Sequence, residues 1–168
     1  MKKLLIALPL LLLSLLSPLV VWAQDLDEIK QQLLLDEQSQ PVDWTEYQGK
    51  WLLVNFWATW CPPCVHELPA LDKLDQSLGK ERPFRVLAIN LGDSRQQLDA
   101  FWEKMKWTPS MPIISDEENQ LLTSLRLKGL PSSWLISPDG QVVETISGMK
   151  EWDSQETMDS LKARMDQH

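Results

Sequence analysis

Val54-Asn55-Phe56-Trp57-Ala58-Thr59-Trp60-Cys61-Pro62-Pro63-Cys64 decides the fold of this chain. Together with Trp51 to Leu53, its first half is apolar and β-prone, and it predicts a central strand over Trp51 to Phe56, buried on both faces. Its second half is a Cys-Pro-Pro-Cys turn that opens a helix. Pro63 suits a first helical turn, where a missing N–H costs nothing. Cys61 is therefore expected at the helix mouth. There, unpaired N–H groups and the positive end of the helix dipole stabilise a thiolate, the species that attacks a disulfide. Cys64 lies one turn on and faces the same side, so it can close a short ring with Cys61 and release a bound partner.

These are the only two cysteines in the sequence. A bridge spanning two intervening residues closes almost no loop and adds little as a structural staple. A zinc site needs four ligands, and beyond the cysteines the chain offers only His66 and His168. The dithiol is read as catalytic.

Upstream, Met1 to Ala23 has two lysines, an apolar run from Leu4 to Val21, and small residues at Val21 and Ala23 where a signal peptidase reads. We read residues 1–23 as a secretory signal, either cleaved after Ala23 or retained as an N-terminal anchor. Both fates place the body outside the cytoplasm, in a periplasmic or other extracytoplasmic space where disulfides persist. Membrane contact follows only if the signal is uncut. Residues 24–168 remain as one domain of 145 residues, with enough chain for a sizeable core. Its 14 basic residues face 24 acidic ones, a net charge near −10 that argues against nucleic acid as a partner.

The remaining elements follow in order. Asp25 to Leu35 carries Leu26, Ile29, Leu33 and Leu34 at helical spacing and predicts a short opening helix. The helix after the dithiol shows Leu68, Leu71, Leu74 and Leu78 on one face, with Pro69 expected to kink it and Gly79 to end it. Strands are expected over Arg85 to Asn90, Pro112 to Ser115, Ser132 to Ile136 and Gln141 to Ser147. Helices are expected over Ser94 to Lys104, Glu117 to Leu125 and Asp153 to Met165, the last capped by Asp153 or Ser154. Strands alternating with helices and closing in a hairpin and a helix describe a three-layer α/β domain, a central mixed sheet flanked by helices. Ligands in such folds bind at strand ends, where Cys61 lies.

The stretch from Phe56 to Cys64, with Glu67-Leu68-Pro69 behind it and Gly129-Leu130-Pro131-Ser132-Ser133-Trp134-Leu135-Ile136 later, resembles the TlpA/ResA-like extracytoplasmic branch of the thioredoxin superfamily. The resemblance spans Val42 to Met165. It implies a thioredoxin-like fold, protein thiol-disulfide exchange, and no cofactor. It also implies a cis peptide at Pro131 against the dithiol, and a Leu130 backbone that pairs with an extended substrate segment. Trp57 and Trp60, flanking the dithiol, are expected to shield it and to offer a partner-binding surface, whereas Trp51, Trp102 and Trp134 are read as core.

Asn55 departs from cytoplasmic thioredoxins, which carry an aspartate there to accept a proton from the second cysteine. Glu67 lies three residues after Cys64, on its side of the helix, and matches a glutamate that ResA-like members place beside the dithiol. Two readings of it stay open: an acid/base for Cys64, or a solvated surface group. His66 is offset from the cysteine face and is read as surface.

The leading reading is reduction of disulfides in exported proteins, because Pro62-Pro63 puts no charged or polar group beside the thiolate and a nearby Glu67 would raise thiol pKa values. The family points to apocytochrome c among the substrates, and a membrane thiol reductant is expected as electron donor. A Cu(I)-handling module using the same two cysteines is one alternative. A thiol peroxidase is another, although peroxiredoxins place a threonine three residues before the reactive cysteine, where this chain has Ala58.

Overall fold

The computed structural model describes residues 26–168, so the leader predicted over 1–23 lies outside the described residues. The elements run α1 (Leu26–Lys30), a 3₁₀ turn (Trp44–Tyr47), β1 (Trp51–Trp57), α2 (Pro62–Glu81), β2 (Phe84–Leu91), α3 (Arg95–Met105), β3 (Ile113–Asp116), α4 (Gln120–Ser124), β4 (Ser132–Ile136), β5 (Val142–Ser147) and α5 (Gln155–Met165).

The strands form one five-stranded sheet in the order β3-β2-β1-β4-β5. β1, β2 and β3 are parallel, while β4 runs antiparallel to β1 and to β5. β1 is central, and all seven of its residues are buried. Its odd residues Trp51, Leu53 and Trp57 pack with the leucines of α2, Leu98 and Trp102 of α3, and Leu161 and Met165 of α5. Its even residues Leu52, Val54 and Phe56 pack with Leu26 and Ile29 of α1 and Leu121 of α4. The period-two alternation of a strand thus builds two cores, one on each side of the sheet. The three-layer α/β, thioredoxin-like architecture is the one expected.

Four boundaries differ from the sequence reading by more than one residue, each for a local reason. α1 stops at Lys30, because Leu35 instead extends beside β3, its N–H donating to Ser115 O at 3.0 Å and its carbonyl accepting from Ser115 N–H at 2.8 Å. That bridge covers the sheet's β3 edge and leaves Leu33 exposed. α2 runs unbroken past Pro69 and past Gly79, stopping before Arg82-Pro83, where the residue ahead of a proline disfavours helix. α4 begins three residues late: the Asp116 carboxylate accepts from Gln120 N–H and Leu121 N–H, so the first turn is organised around Asp116. α5 begins at Gln155, capped by Ser154 Oγ accepting from Thr157 N–H at 3.2 Å.

Candidate active site

β1 and α2 together aim the dithiol. The strand ends at Trp57, the chain turns through Ala58 to Trp60, and Cys61 is the N-cap residue of α2, with extended backbone, ahead of the prolines in the first turn. Cys61 N–H donates to Ala58 O at 3.1 Å, which closes the turn. Cys61 and Cys64 are joined in a disulfide with their Cα atoms 5.3 Å apart. Cys64 is wholly enclosed and Cys61 is only 4% exposed, so the oxidised pair meets solvent at the edge of Cys61 alone.

That edge opens onto an apolar groove of about 530 Å³, lined by Trp60, Cys61, Pro62, Leu122, Leu127 and Leu130 among others. Trp60 is 70% exposed and stands at its rim. The Leu130–Pro131 peptide is cis, as the resemblance implies, and Leu130 borders the groove. Trp57 corrects the sequence reading. It is wholly buried, tilted against Phe101 at 5.6 Å and Trp102 at 5.6 Å, and in this structure it presents no surface to a partner. Its place on the inward face of β1 explains this: it packs in the core under the dithiol and supports the pair from below. Trp51, Trp102 and Trp134 are core, as read.

Glu67 is 2% exposed, which removes the solvated-surface reading. Its Oε1 accepts from Asn55 Nδ2 at 2.7 Å. Its Oε2 accepts from Lys150 N–H at 3.1 Å and from Trp152 Nε1 at 2.9 Å. The carboxylate therefore joins α2 to β1 and to the loop between β5 and α5. Burial pushes its pKa above the ordinary 4.5, and the three donors, with the field of His66, offset part of that rise. A carboxyl held up in this way, one helical turn from a cysteine, is suited to take a proton and return it. Asn55 also donates to Ser133 Oγ at 2.9 Å, tying β4 into the same network.

A second carboxylate has no counterpart in the sequence reading. Asp93, 5% exposed and just past the end of β2, accepts from Thr59 N–H at 3.0 Å, from the Thr59 hydroxyl at 2.8 Å and from Asn90 Nδ2 at 2.9 Å. It holds the β1–α2 turn two residues before Cys61. Its location at the end of a parallel strand is the available signal, since sites gather there. Beside Ser94, the actual cap of α3, it passes for an ordinary loop residue. Trp152 and Ser133 escape a sequence reading for a simpler reason: both are remote from their partners along the chain, Trp152 by 85 residues from Glu67 and Ser133 by 78 from Asn55.

The comparisons with known proteins agree with this geometry. Residues 24–145 match the AhpC/TSA family. The thiol-disulfide oxidoreductase ResA of Geobacillus kaustophilus is 33% identical over 119 residues, covering 70% of this chain and 67% of that protein. This chain belongs to the AhpC/TSA family, among its ResA-like thiol-disulfide oxidoreductases. Solved structures share the family fold. A Chlorobium tepidum chain assigned as a thiol:disulfide interchange protein DsbE superposes with a TM-score of 0.68 at 24% identity, covering 85% of this chain and 94% of its own. StoA of Bacillus subtilis gives 0.59 at 23% identity, covering 79% and 93%. The ResA-like chain described here is thus a thioredoxin-fold thiol-disulfide oxidoreductase that carries a Cys61–Cys64 pair.

Proposed function

We propose that this oxidoreductase is exported and reduces disulfides in other exported proteins, apocytochrome c among its substrates, while a membrane thiol reductant restores its own dithiol. Cys61 is the attacking thiolate and Cys64 the resolving thiol. Glu67 holds and returns the Cys64 proton. Trp60, Leu130 and Pro131 receive an extended substrate segment along the groove.

The observation that carries the direction of the reaction is the buried Glu67 carboxylate, on the same helix as an uncharged Cys-Pro-Pro-Cys turn. Strong oxidants owe their potential to a very stable thiolate, which needs a positive or polar neighbour, and a negative neighbour raises thiol pKa values instead. Equilibration of the purified protein against glutathione tests this. We expect a potential toward the reducing end, near the roughly −270 mV of thioredoxins, and a value near about −120 mV would overturn the assignment.

Export rests on the leader-like composition of residues 1–23. Mass spectrometry of the N-terminus from an extracytoplasmic fraction distinguishes its two fates, a start at Gln24 meaning cleavage and a start at Met1 meaning an anchor.

The AhpC/TSA match favours one second reading, a thiol peroxidase. Against it stands Ala58, buried and without a hydroxyl where peroxiredoxins place a threonine. Sustained peroxide consumption by the reduced protein would establish that reading in place of the first.

A further inference from the structure

The Asn55 amide behind the dithiol is used on one side only. It is wholly buried, and Nδ2 donates to both Glu67 Oε1 and Ser133 Oγ, while Oδ1 is buried with no partner. An unpaired buried carbonyl carries the full loss of its hydration, so an enclosed amide with an idle oxygen needs an explanation. The orientation is not arbitrary, because an ionised carboxylate only accepts hydrogen bonds and requires the NH₂ edge to face it.

We propose that Asn55 is a positioning residue whose amide turns over by half a rotation when Glu67 gains or loses a proton, presenting Oδ1 to the Cys64 thiol in one state and to the Glu67 carboxyl proton in the other. The proposal rests on the thiol-disulfide reading given above and deepens it at the same site.

The bonding around Glu67 leads to this device. Its three partners, Asn55 Nδ2, Lys150 N–H and Trp152 Nε1, are all donors. They suit a carboxylate, but none can accept the O–H of a neutral carboxyl. Among these neighbours only Asn55 carries an acceptor as well, on the other edge of the same amide. Turned over, Oδ1 accepts a hydrogen bond from the Glu67 Oε1–H. Ser133 loses nothing, since its hydroxyl can change from accepting to donating and give its hydrogen to the same Oδ1. Nδ2 then takes the place that Oδ1 held. The Glu67 and Ser133 bonds are kept with their sense reversed, so both protonation states of Glu67 are satisfied, and the two Nδ2 hydrogens turn to the dithiol side, where a Cys64 thiolate can accept.

Asn55 sits between Leu53 and Trp57 on the face of β1 that packs against Cys61 and Cys64, which puts the alternating edge on the dithiol side of the sheet. His66 on α2 is the titratable side chain whose charge acts on Glu67, while the loop beyond β5 reaches it through Lys150 N–H and the Trp152 indole, and Cys64 lies one turn back on α2. β1 and β4 present the neutral Asn55 and Ser133.

The relay has a defined place in the reaction. With substrate joined to Cys61 as a mixed disulfide, the Cys64 S–H passes its proton to Glu67. The Cys64 sulfur keeps the electron pair and attacks Cys61 Sγ. The Cys61–Cys64 bond forms and the bond from Cys61 to the substrate sulfur breaks. The substrate leaves as a thiolate that is then protonated, so the substrate disulfide is reduced and the dithiol is oxidised. Oδ1 accepts from Cys64 S–H before the proton moves. Once it has moved, Nδ2–H faces the thiolate.

The first test uses the purified protein with its disulfide intact, following the Asn55 side-chain amide and the Glu67 carboxyl carbon by NMR from about pH 4 to 9. We expect both to move with one midpoint and the Asn55 NH₂ contacts to Ser133 to be lost on the acid side. A Glu67 carbon that titrates while the Asn55 amide stays fixed would overturn the proposal. In Glu67→Gln the new amide is a permanent donor, and we expect Asn55 in its turned state at every pH; a parent-like Asn55 signal in that variant would also overturn it. A further arm measures Cys64 alkylation in a Cys61→Ser background. Asn55→Leu should shift the pH profile upward and slow alkylation near neutral pH about tenfold, with the circular dichroism and melting profile confirming the fold. If Asn55→Leu does not fold, the two NMR arms decide. Those arms need no activity, so an inactive protein whose Asn55 still follows Glu67 retains the relay and loses the functional reading.

Discussion

Asp93 and Glu67 are two buried carboxylates near the same dithiol, each accepting three hydrogen bonds, yet they are wired differently. Asp93 gathers Thr59 and Asn90, the last of these only three residues away, and its bonds fix one turn. Glu67 gathers donors 12, 83 and 85 residues away and joins a helix, a strand and a loop. The chemistry of the partners differs as well. A hydroxyl stands among those of Asp93, whereas those of Glu67 are all N–H groups. Depth and the number of donors therefore do not separate a latch from a proton carrier; what separates them is place, since Glu67 lies one helical turn from Cys64 while Asp93 is tied to the turn ahead of Cys61.

Truncation should give the largest effects. Asp93→Ala leaves Thr59 N–H and the Asn90 amide without their acceptor. Glu67→Ala strands Lys150 N–H and the Trp152 indole and also cuts α2 from the loop beyond β5. Each stranded buried donor costs about 1–3 kcal/mol. We expect each variant to lose at least about 2 kcal/mol, a fall in Tm of roughly 4–8 °C at this size, with Glu67→Ala the worse of the two. Thermal circular dichroism checks the order, and equal melting curves for parent and both variants would dissolve the comparison. Trp152→Phe removes one donor and some core volume, which should cost about 1–2 kcal/mol. It should also raise the Glu67 titration midpoint further, because a bond that favours the carboxylate is gone, and the Glu67 carboxyl carbon shift reads this directly.

The pH dependence of stability sharpens the contrast. Burial raises the folded-state pKa of Glu67 above its ordinary 4.5, so the folded protein holds this proton more tightly than the unfolded chain does. The associated stability is complete below the unfolded value and is lost as pH rises through the folded one, with about 1.4 kcal/mol lost for every pH unit that separates the two. Compared with Glu67→Gln, which does not titrate there, the parent should therefore lose ground as the pH climbs above about 4.5. Denaturant midpoints at several pH values measure the difference, and parallel curves would contradict the assignment. Asp93→Asn should have the smallest effect, under about 1 kcal/mol. Its oxygen can keep Thr59 N–H and the Asn90 amide, and the Thr59 hydroxyl can turn to accept from its NH₂ group.

Much of the fold is legible because it is written in local patterns. The unbroken apolar run of β1, the turn Ser137-Pro138-Asp139-Gly140 and the Ser154 cap each specify an element within a few residues of themselves. The opening helix is shorter than its pattern predicts. Leu33, Leu34 and Leu35 continue an apolar run at helical spacing, whereas β3, 80 residues downstream, supplies an edge for Leu35 to pair with. In the site, the cysteines announce themselves by motif and proline placement. Glu67 can be placed on the correct helix face, but its burial depends on Lys150 and Trp152, and no local signal joins them. Trp57 reads as part of a partner surface because it flanks the dithiol as Trp60 does, and only the strand's inward face decides that one is core and the other exposed.

The central claim is that Cys61 attacks and Cys64, enclosed behind it, resolves. Trapping measures this most directly: Cys64→Ser and Cys61→Ser are produced in cells, mixed disulfides are captured by rapid alkylation, and the adducts are identified by mass spectrometry. Without Cys64 the intermediate has no internal exit, so Cys64→Ser is expected to accumulate partners through Cys61 and Cys61→Ser to accumulate few. Equal trapping by both variants, or none by either, would contradict the account.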